Sequence, residues 1–214
     1  MENNMKNTII DLMNKLESIN YVRSDSVPNI DLYMDQVTSF LEDQLAVSKR
    51  REEDKLVTKT MITNYTKNDL LPPPNKKKYS KDHMLTLLLI YYFKNILSIS
   101  DIHAILDPIT QSYFGNKNGF NMEDVYNEIF TIEQEESKKL LKDFSKKYQV
   151  SKTSFSEFPE EDQEFLHTFA FICQLSYDVY IKKMLIQKII DDVISEDTAN
   201  NNTSASTKKN SQND

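Results

Sequence analysis

The chain has 214 residues, a formal net charge of −7 and a hydrophobic fraction of 39%, enough for one large domain or two small ones. Its two glycines, Gly115 and Gly119, exclude glycine-rich phosphate loops, and its single cysteine, Cys173, excludes an internal disulfide and a multi-cysteine metal site. Scarce glycine with abundant leucine, isoleucine, lysine and glutamate favours a mainly α-helical fold.

The first segment, residues 1–27, is predicted to contain an amphipathic helix. Its apolar side chains recur at helical spacing, at Ile9, Leu12, Met13, Leu16 and Ile19. Asp11 and Asn14 break any secretory pattern, and the longest apolar run, residues 84–93, is about half of what spans a bilayer. We therefore expect a cytoplasmic protein with no membrane partner.

Two amphipathic helices are predicted next, joined by a charged connector at residues 46–55. The second helix begins at Thr58, whose side chain is a good N-cap, and it would bury Met61, Ile62 and Tyr65. The first helix carries one apolar stripe, formed by Met34, Val37, Phe40, Leu41 and Leu45.

Three consecutive prolines, residues 72–74, prevent a helix between Asp69 and Tyr79. Ser80 then caps a helix that is apolar most of the way round, so we predict that this helix is central and buried. Ser100 is predicted to cap a short helix that Pro108 ends.

Charge is distributed unevenly along the chain. Between Lys49 and Lys81 there are ten lysines and arginines and four acids, a local net charge of +6 in a chain of net charge −7. This asymmetry is typical of a nucleic-acid-binding surface, although a solvated lysine-rich loop would give the same pattern.

The second half of the chain is predicted to be a helical region over residues 120–194. The joint at 115–120 contains both glycines and is the predicted domain boundary. Helices are expected at about 122–148 and 160–194. Residues 195–214 hold too few apolar side chains to offset the entropy of ordering, so we predict a disordered tail.

The last predicted helix has a stripe at alternating steps of four and three residues, which is the spacing of a coiled coil. Two interpretations fit: a seam for a partner helix, or the core face of a monomeric bundle. Lysines flank the second half of the stripe and favour a partner there, so we predict dimerisation through Val179, Ile186, Ile190 and Val193.

Residues 57–106 resemble the MerR-type winged helix-turn-helix through the stretch "ITNYTKNDLLPPPNKKKYSKDHMLTLLLIYYFKNILSISDIHAIL". The shared order is a recognition helix, Leu-Leu-Pro, a basic wing, Tyr-Ser, a long apolar helix and a short closing helix. The whole chain is more similar to an uncharacterised bacterial family, domain of unknown function 1836, through the core "TKTMI-NYTK-LLPPP-KKYS".

The resemblance implies a winged helix-turn-helix domain at 28–114, followed by a helical dimerisation or sensing region, in a regulator that binds double-stranded DNA as a homodimer. Asn64 would read an adenine edge or be an ordinary polar surface residue, and Tyr79 would pack or hydrogen-bond at the base of the wing. Thr63 and Asn64 replace the family's Arg-Tyr, and Asp69 replaces its glycine. The residues assigned to DNA are Thr58, Lys59, Thr63, Asn64, Lys67, Lys76, Lys77, Lys78 and Tyr79.

No set of residues in the sequence predicts catalysis. His83, His103 and His167 fall in separate predicted helices without a ligand spacing such as i, i+4. We therefore expect no enzyme, no metal and no cofactor. The alternative to DNA binding is a protein-interaction module on the same scaffold, and the helical region would serve an unknown effector or protein partner.

Overall fold

The structure is a computed structural model that describes residues 21–210, without the side chains at 133–135, 137, 138 and 195–210. The helix predicted within residues 1–27 lies largely outside the described residues. Of that segment, Ser24–Ser26 form one 3₁₀ turn.

The prediction of a mainly α-helical fold is confirmed. A single pair of short strands accompanies the helices of the described residues. In chain order the elements are β1 (Leu32–Tyr33), α1 (Met34–Gln44), α2 (Lys59–Lys67), β2 (Lys78–Tyr79), α3 (Lys81–Phe93), α4 (Ile99–Tyr113), α5 (Met122–Lys152) and α6 (Glu160–Asn210). None of these described helices is both long enough and apolar enough to cross a bilayer.

Helix α3 is the centre of the fold, as its sequence predicts. Every residue from His83 to Tyr91 is buried, because the helix has apolar side chains on all sides and each side needs a cover. The buried hydroxyl of Thr86 donates to the Asp82 carbonyl at 2.8 Å. Elements before and after α3 in the chain supply the cover.

Helix α4 corrects two expectations about its ends. It begins after Ser98, whose side chain accepts a hydrogen bond from Asp101 N–H, and not after Ser100. It also continues through Pro108 to Tyr113. Proline removes one backbone hydrogen bond, but Ile105 and Ile109 pack against the core on either side of it and hold the helix.

Strands β1 and β2 pair antiparallel, with Leu32 opposite Tyr79 and Tyr33 opposite Lys78. Leu32 and Tyr79 point into the core, whereas Tyr33 is exposed. Because β1 leads directly into α1 and β2 precedes α3, this short sheet fixes the start of α1 beside the lysine-rich segment.

The segment before β1 is tied to two helices by tyrosine hydroxyls. Tyr126 of α5 donates to the carbonyl of Val22 at 2.6 Å, and the Val22 N–H donates to the hydroxyl of Tyr92 of α3 at 2.9 Å. Burial raises the pKa of Tyr126 well above its ordinary value, so the phenol stays a neutral donor.

Helices α5 and α6 form a hairpin whose first and last parts extend the central core. Met122 and Tyr126 at the start of α5 are buried in that core, and so is Ile190 of α6. The core therefore includes residues on both sides of the predicted boundary at 115–120. Helix α6 continues to Asn210, past the expected end at residue 194, and the disorder of 195–214 stays a prediction.

We predict that Tyr126→Phe lowers the free energy of unfolding by about 1–3 kcal/mol, because it leaves the buried carbonyl of Val22 without its donor. Urea denaturation of the full chain measures the loss. Tyr180→Phe is the control, since the Tyr180 side chain is exposed and its hydroxyl should contribute little. Equal stability of the two variants would contradict the role of the Tyr126 bond.

Candidate nucleic-acid interface

Helix α2 presents a polar face to solvent and an apolar face to the core. Thr58 caps it as predicted, since its hydroxyl oxygen accepts from Met61 N–H at 3.2 Å. Ile62 and Tyr65 are buried. The opposite face is exposed, and it carries four of the residues assigned to DNA, namely Lys59, Thr63, Asn64 and Lys67.

The exposed side chains of α2 differ in how far they are already engaged. Lys59 forms an ion pair with Asp35 in the first turn of α1, and both side chains are largely exposed. The Thr63 hydroxyl donates to the Lys59 carbonyl at 2.8 Å. Within the described residues the structure records no hydrogen bond made by the side-chain amide of Asn64, which leaves its donor and acceptor available to a ligand.

The chain leaves α2 through a Schellman motif in which Asp69 takes the position that glycine favours. Leu70 N–H donates to the Tyr65 carbonyl at 2.9 Å and Asp69 N–H to the Thr66 carbonyl at 3.3 Å. The φ of Asp69 is 56°, in the left-handed region. The motif ends the helix before the prolines, and the two residues that follow Asp69, Leu70 and Leu71, are buried.

Residues 72–79 form a tight turn and strand, here called the lysine hairpin. Asn75 and Lys78 exchange two backbone hydrogen bonds of 3.0 and 2.9 Å, so only Lys76 and Lys77 lie between them. These two residues have φ values of 48° and 66°. A type I′ turn requires positive φ at both central positions, and asparagine and glycine normally occupy these two positions.

The three lysines of the hairpin have different surroundings. Lys76 and Lys77 stand at the tip and are exposed. Lys78 is half-buried, and its ammonium lies 5.2 Å from the centre of the Tyr33 ring. Lys76 and Lys77 are therefore the exposed charges of the hairpin, and Lys78 also fastens it to β1.

The base of the lysine hairpin is held by His83, which the sequence identifies only as a helix-face or core histidine. Its Nδ1 accepts from Ser80 N–H at 3.0 Å, which places the ring proton on Nε2. Nε2 lies 3.4 Å from the carbonyl of Pro73 and donates toward it. Burial lowers the pKa of His83, so the neutral ring is favoured.

Tyr79 lies inside the hairpin base and not on the surface. It is 4% exposed, and its ring meets the His83 ring edge-on at a centroid distance of 5.5 Å. Its assignment to packing at the base fits this placement, and a direct contact with DNA does not. Thr58 is likewise half-buried and engaged in capping α2.

Helix α2 and the lysine hairpin meet at the start of α1. Lys59 of α2 pairs with Asp35, and Lys78 of the hairpin lies over Tyr33, two residues earlier in the chain. Both basic elements are thereby anchored to the same turn of backbone. Their exposed lysines form one candidate binding surface, which Asp35 and Asp69 interrupt with negative charge.

The connector between α1 and α2 adds basic residues that the sequence-based assignment omits. Arg50, Arg51 and Lys55 are exposed. The connector is anchored at its end, where Lys94 donates to the carbonyl of Leu56 at 2.5 Å. The local positive charge of this segment is the sequence signal by which these side chains could have been assigned to the candidate surface.

The residues assigned to dimerisation separate into two groups. Val179 and Val193 are exposed, at 62% and 42%. Ile190 is 4% exposed in the core of its own chain, and Ile186 packs against that core. A partner helix would have to displace the second pair from intramolecular contacts.

Histidine, cysteine and carboxylate groups do not gather into a metal site in the part of the chain that the structure describes.

The fold and the candidate surface define a mainly helical protein with a lysine-tipped hairpin beside a capped, polar-faced helix. A family model described as "Domain of unknown function (DUF1836)" matches residues 22–129, just over half of the chain, and the chain belongs to this family. No curated protein and no solved structure matches the chain.

The matched range has a structural meaning. It begins at Val22, which Tyr126 and Tyr92 hold, and it ends in α5 two turns after the buried Met122. It thus contains the candidate surface together with most of the core that supports it. The greater part of the α5–α6 hairpin lies beyond the match.

We predict that the fold loses stability as the pH is lowered below about 6.5, the ordinary pKa of histidine. The pKa of His83 is depressed in the folded state, so the unfolded chain binds a proton more readily. The stabilisation is complete above the unfolded pKa and is lost as the pH falls through the folded pKa. Urea midpoints between pH 7.5 and 5.5 measure it.

The variant His83→Gln is the control for this pH dependence. It removes the titrating ring and keeps a side-chain acceptor for the Ser80 N–H. Its urea midpoint should change less than that of the natural chain over the same pH range. Identical pH dependence of the two proteins would assign the effect to other groups.

Proposed function

We propose that this protein is a DNA-binding transcriptional regulator with a MerR-like winged helix-turn-helix. The observation that carries the proposal is the attachment of two basic elements, α2 and the lysine hairpin, to the start of one helix, α1. In this assignment α2 is the recognition helix and the hairpin is the wing. The remaining order of elements, with α3 and α4 after the wing, follows the same pattern.

The recognition helix would enter the major groove with its exposed face, and the wing would lie along the flanking phosphates. Asn64 has a free amide for an adenine edge, and Lys59 and Lys67 are phosphate ligands at the two ends of the helix. The wing tip supplies Lys76 and Lys77. Each phosphate contact releases condensed counterions, so binding would weaken steeply as salt rises.

A dimer would place two recognition helices about one DNA turn apart, on a two-fold operator. The charge distribution supports a fixed orientation of the protein, since the segment 49–81 has a net charge of +6 and the whole chain has −7. The acidic remainder of the chain would be repelled by DNA while the basic surface is attracted. The helical region would then be free for an effector.

A second candidate is a protein-interaction module without DNA binding. Asp35 and Asp69 favour it, because they lie among the basic residues, and Asp35 already pairs with Lys59. An exposed pair of this kind is weak and a phosphate can replace it. Titration with duplex DNA at low and moderate salt separates the two candidates, since a protein that ignores DNA at low salt supports the second.

We predict that Lys76→Asn combined with Lys77→Gly makes the protein more stable and weakens its binding to DNA. Asn-Gly suits positive φ, so the free energy of unfolding should rise by about 1 kcal/mol. The loss of two phosphate contacts should flatten the dependence of log affinity on log salt by up to about two units. Urea denaturation and fluorescence anisotropy with duplex DNA measure the two effects.

The matched control is Lys76→Arg with Lys77→Arg, which keeps both positive charges at the positions with positive φ. Its salt dependence should equal that of the natural chain. Unchanged affinity of the Asn-Gly variant would remove the wing from the interface.

We predict that Asn64→Ala relaxes base preference at one position of the operator, with a loss of about 1–3 kcal/mol there. Selection of bound sequences from a random duplex pool supplies the operator, and competition with single-base variants measures the preference. Lys67→Ala is the comparison, because a phosphate ligand should weaken all sequences alike. A uniform loss for Asn64→Ala would mark it as a backbone contact.

A further inference from the structure

The first half of α6 carries an apolar stripe that the described part of the chain leaves uncovered. Phe165, Phe169, Ile172 and Val179 are 71%, 51%, 54% and 62% exposed. Isolated apolar side chains are ordinary on a surface, but a row of large ones along a helix marks an interaction site.

The stripe lies on the side of α6 that faces away from α5. The residues of α6 that contact α5 include Phe171, whose ring meets those of Phe144 and Tyr148, and Asp178, which pairs with Lys147. Gln174 also donates to the Lys147 carbonyl. At 100° per residue these positions fall opposite the stripe, so the hairpin itself cannot cover it.

The stripe is nearly symmetric about its own middle. Its positions are Phe165, Phe169, Ile172, Ser176, Val179 and Lys183, in alternating steps of four and three residues. When a second copy runs in the opposite direction about residue 174, Phe169 faces Val179, Ile172 faces Ser176, and Phe165 faces the aliphatic stem of Lys183. The stripe is about 27 Å long at 1.5 Å per residue.

Charge along α6 selects the antiparallel direction. The helix begins with Glu160, Glu161 and Asp162, and lysines lie at and beyond the other end of the stripe, at 182, 183 and 188, the last of which also pairs with Asp192. Antiparallel pairing brings the acidic end of one copy beside the lysines of the other, whereas parallel pairing brings like charges together. Parallel pairing is disfavoured because like charges at a seam repel.

We propose that two copies of the chain pair through this stripe, antiparallel, with the two-fold axis near residue 174. The inference deepens the proposed function, because it assigns the dimer interface to the first half of α6. It moves the interface away from Ile186 and Ile190, which the core of the same chain occupies. The same surface patch serves both copies, as a two-fold dimer requires.

The test compares full-length variants by sedimentation equilibrium without DNA. Phe169→Glu with Ile172→Glu should raise the dimer Kd by about 100-fold or more, because charge would be buried at the centre of the seam. Ile132→Glu with Val150→Glu is the matched control: both side chains lie on α5 and are 55% and 52% exposed, like the pair that they match. This control should stay dimeric.

Cys173 reports the direction of pairing. It is exposed, and it flanks the stripe one residue from the proposed axis, so the two copies should be joined by a short bismaleimide cross-linker. Parallel pairing would put the two thiols on opposite sides of the seam. Cys173→Ser with Gln187→Cys is the control, because antiparallel pairing separates its two thiols by about 39 Å at 1.5 Å per residue.

Each other outcome overturns the proposal. A monomeric natural chain at micromolar concentration, or a dimer that Phe169→Glu with Ile172→Glu leaves intact, removes the stripe as the interface. Loss of the dimer in that variant without cross-linking of Cys173 excludes the antiparallel direction. A monomer that dimerises only after residues 1–20 are deleted shows that this segment covers the stripe. None of these measurements contains DNA, so they fail or succeed independently of the proposed function.

Discussion

The burial of α3 on every side is the constraint on which the other elements depend. A helix with no polar face must be covered all round, and here β1, α1, α2, α4, α5 and the segment at Val22 share that task. The lysine hairpin enters α3 at its first turn, so the orientation of the hairpin follows from that of the core. His83 belongs to both, since its ring is buried in α3 and holds Pro73.

Positive φ at three residues other than glycine is the second feature of the candidate surface. Asp69, Lys76 and Lys77 all lie between α2 and β2, and each conformation costs energy that glycine would avoid. The pairing with β1 and the His83 contact hold the hairpin in spite of this cost. With lysines at its tip, the turn is less stable than it would be with Asn-Gly. A binding role for the tip predicts such a loss of stability.

The sequence predicts those features that depend on local chemistry. Short stretches of sequence predict the Thr58 cap, the absence of helix around the three prolines and the burial of α3. The structure confirms all three. Pro108 shows the limit, because packing on both sides keeps a helix that local preference would end. The roles of His83 and Tyr126 depend on partners 10 and 104 residues away, which no local pattern reveals.

The periodic stripe of α6 shows why a pattern alone cannot assign an interface. Its steps of four and three continue from Phe165 to Val193, yet Phe169 is exposed and Ile190 is buried in the core of its own chain. One helix therefore carries an exposed face as far as Val179 and a residue anchored in the core, Ile190, about three turns later. In the proposed dimer the same helix would connect the pairing surface with the core into which α2 also packs. The spacing of the two recognition helices would then follow from the angle at which two copies of α6 cross.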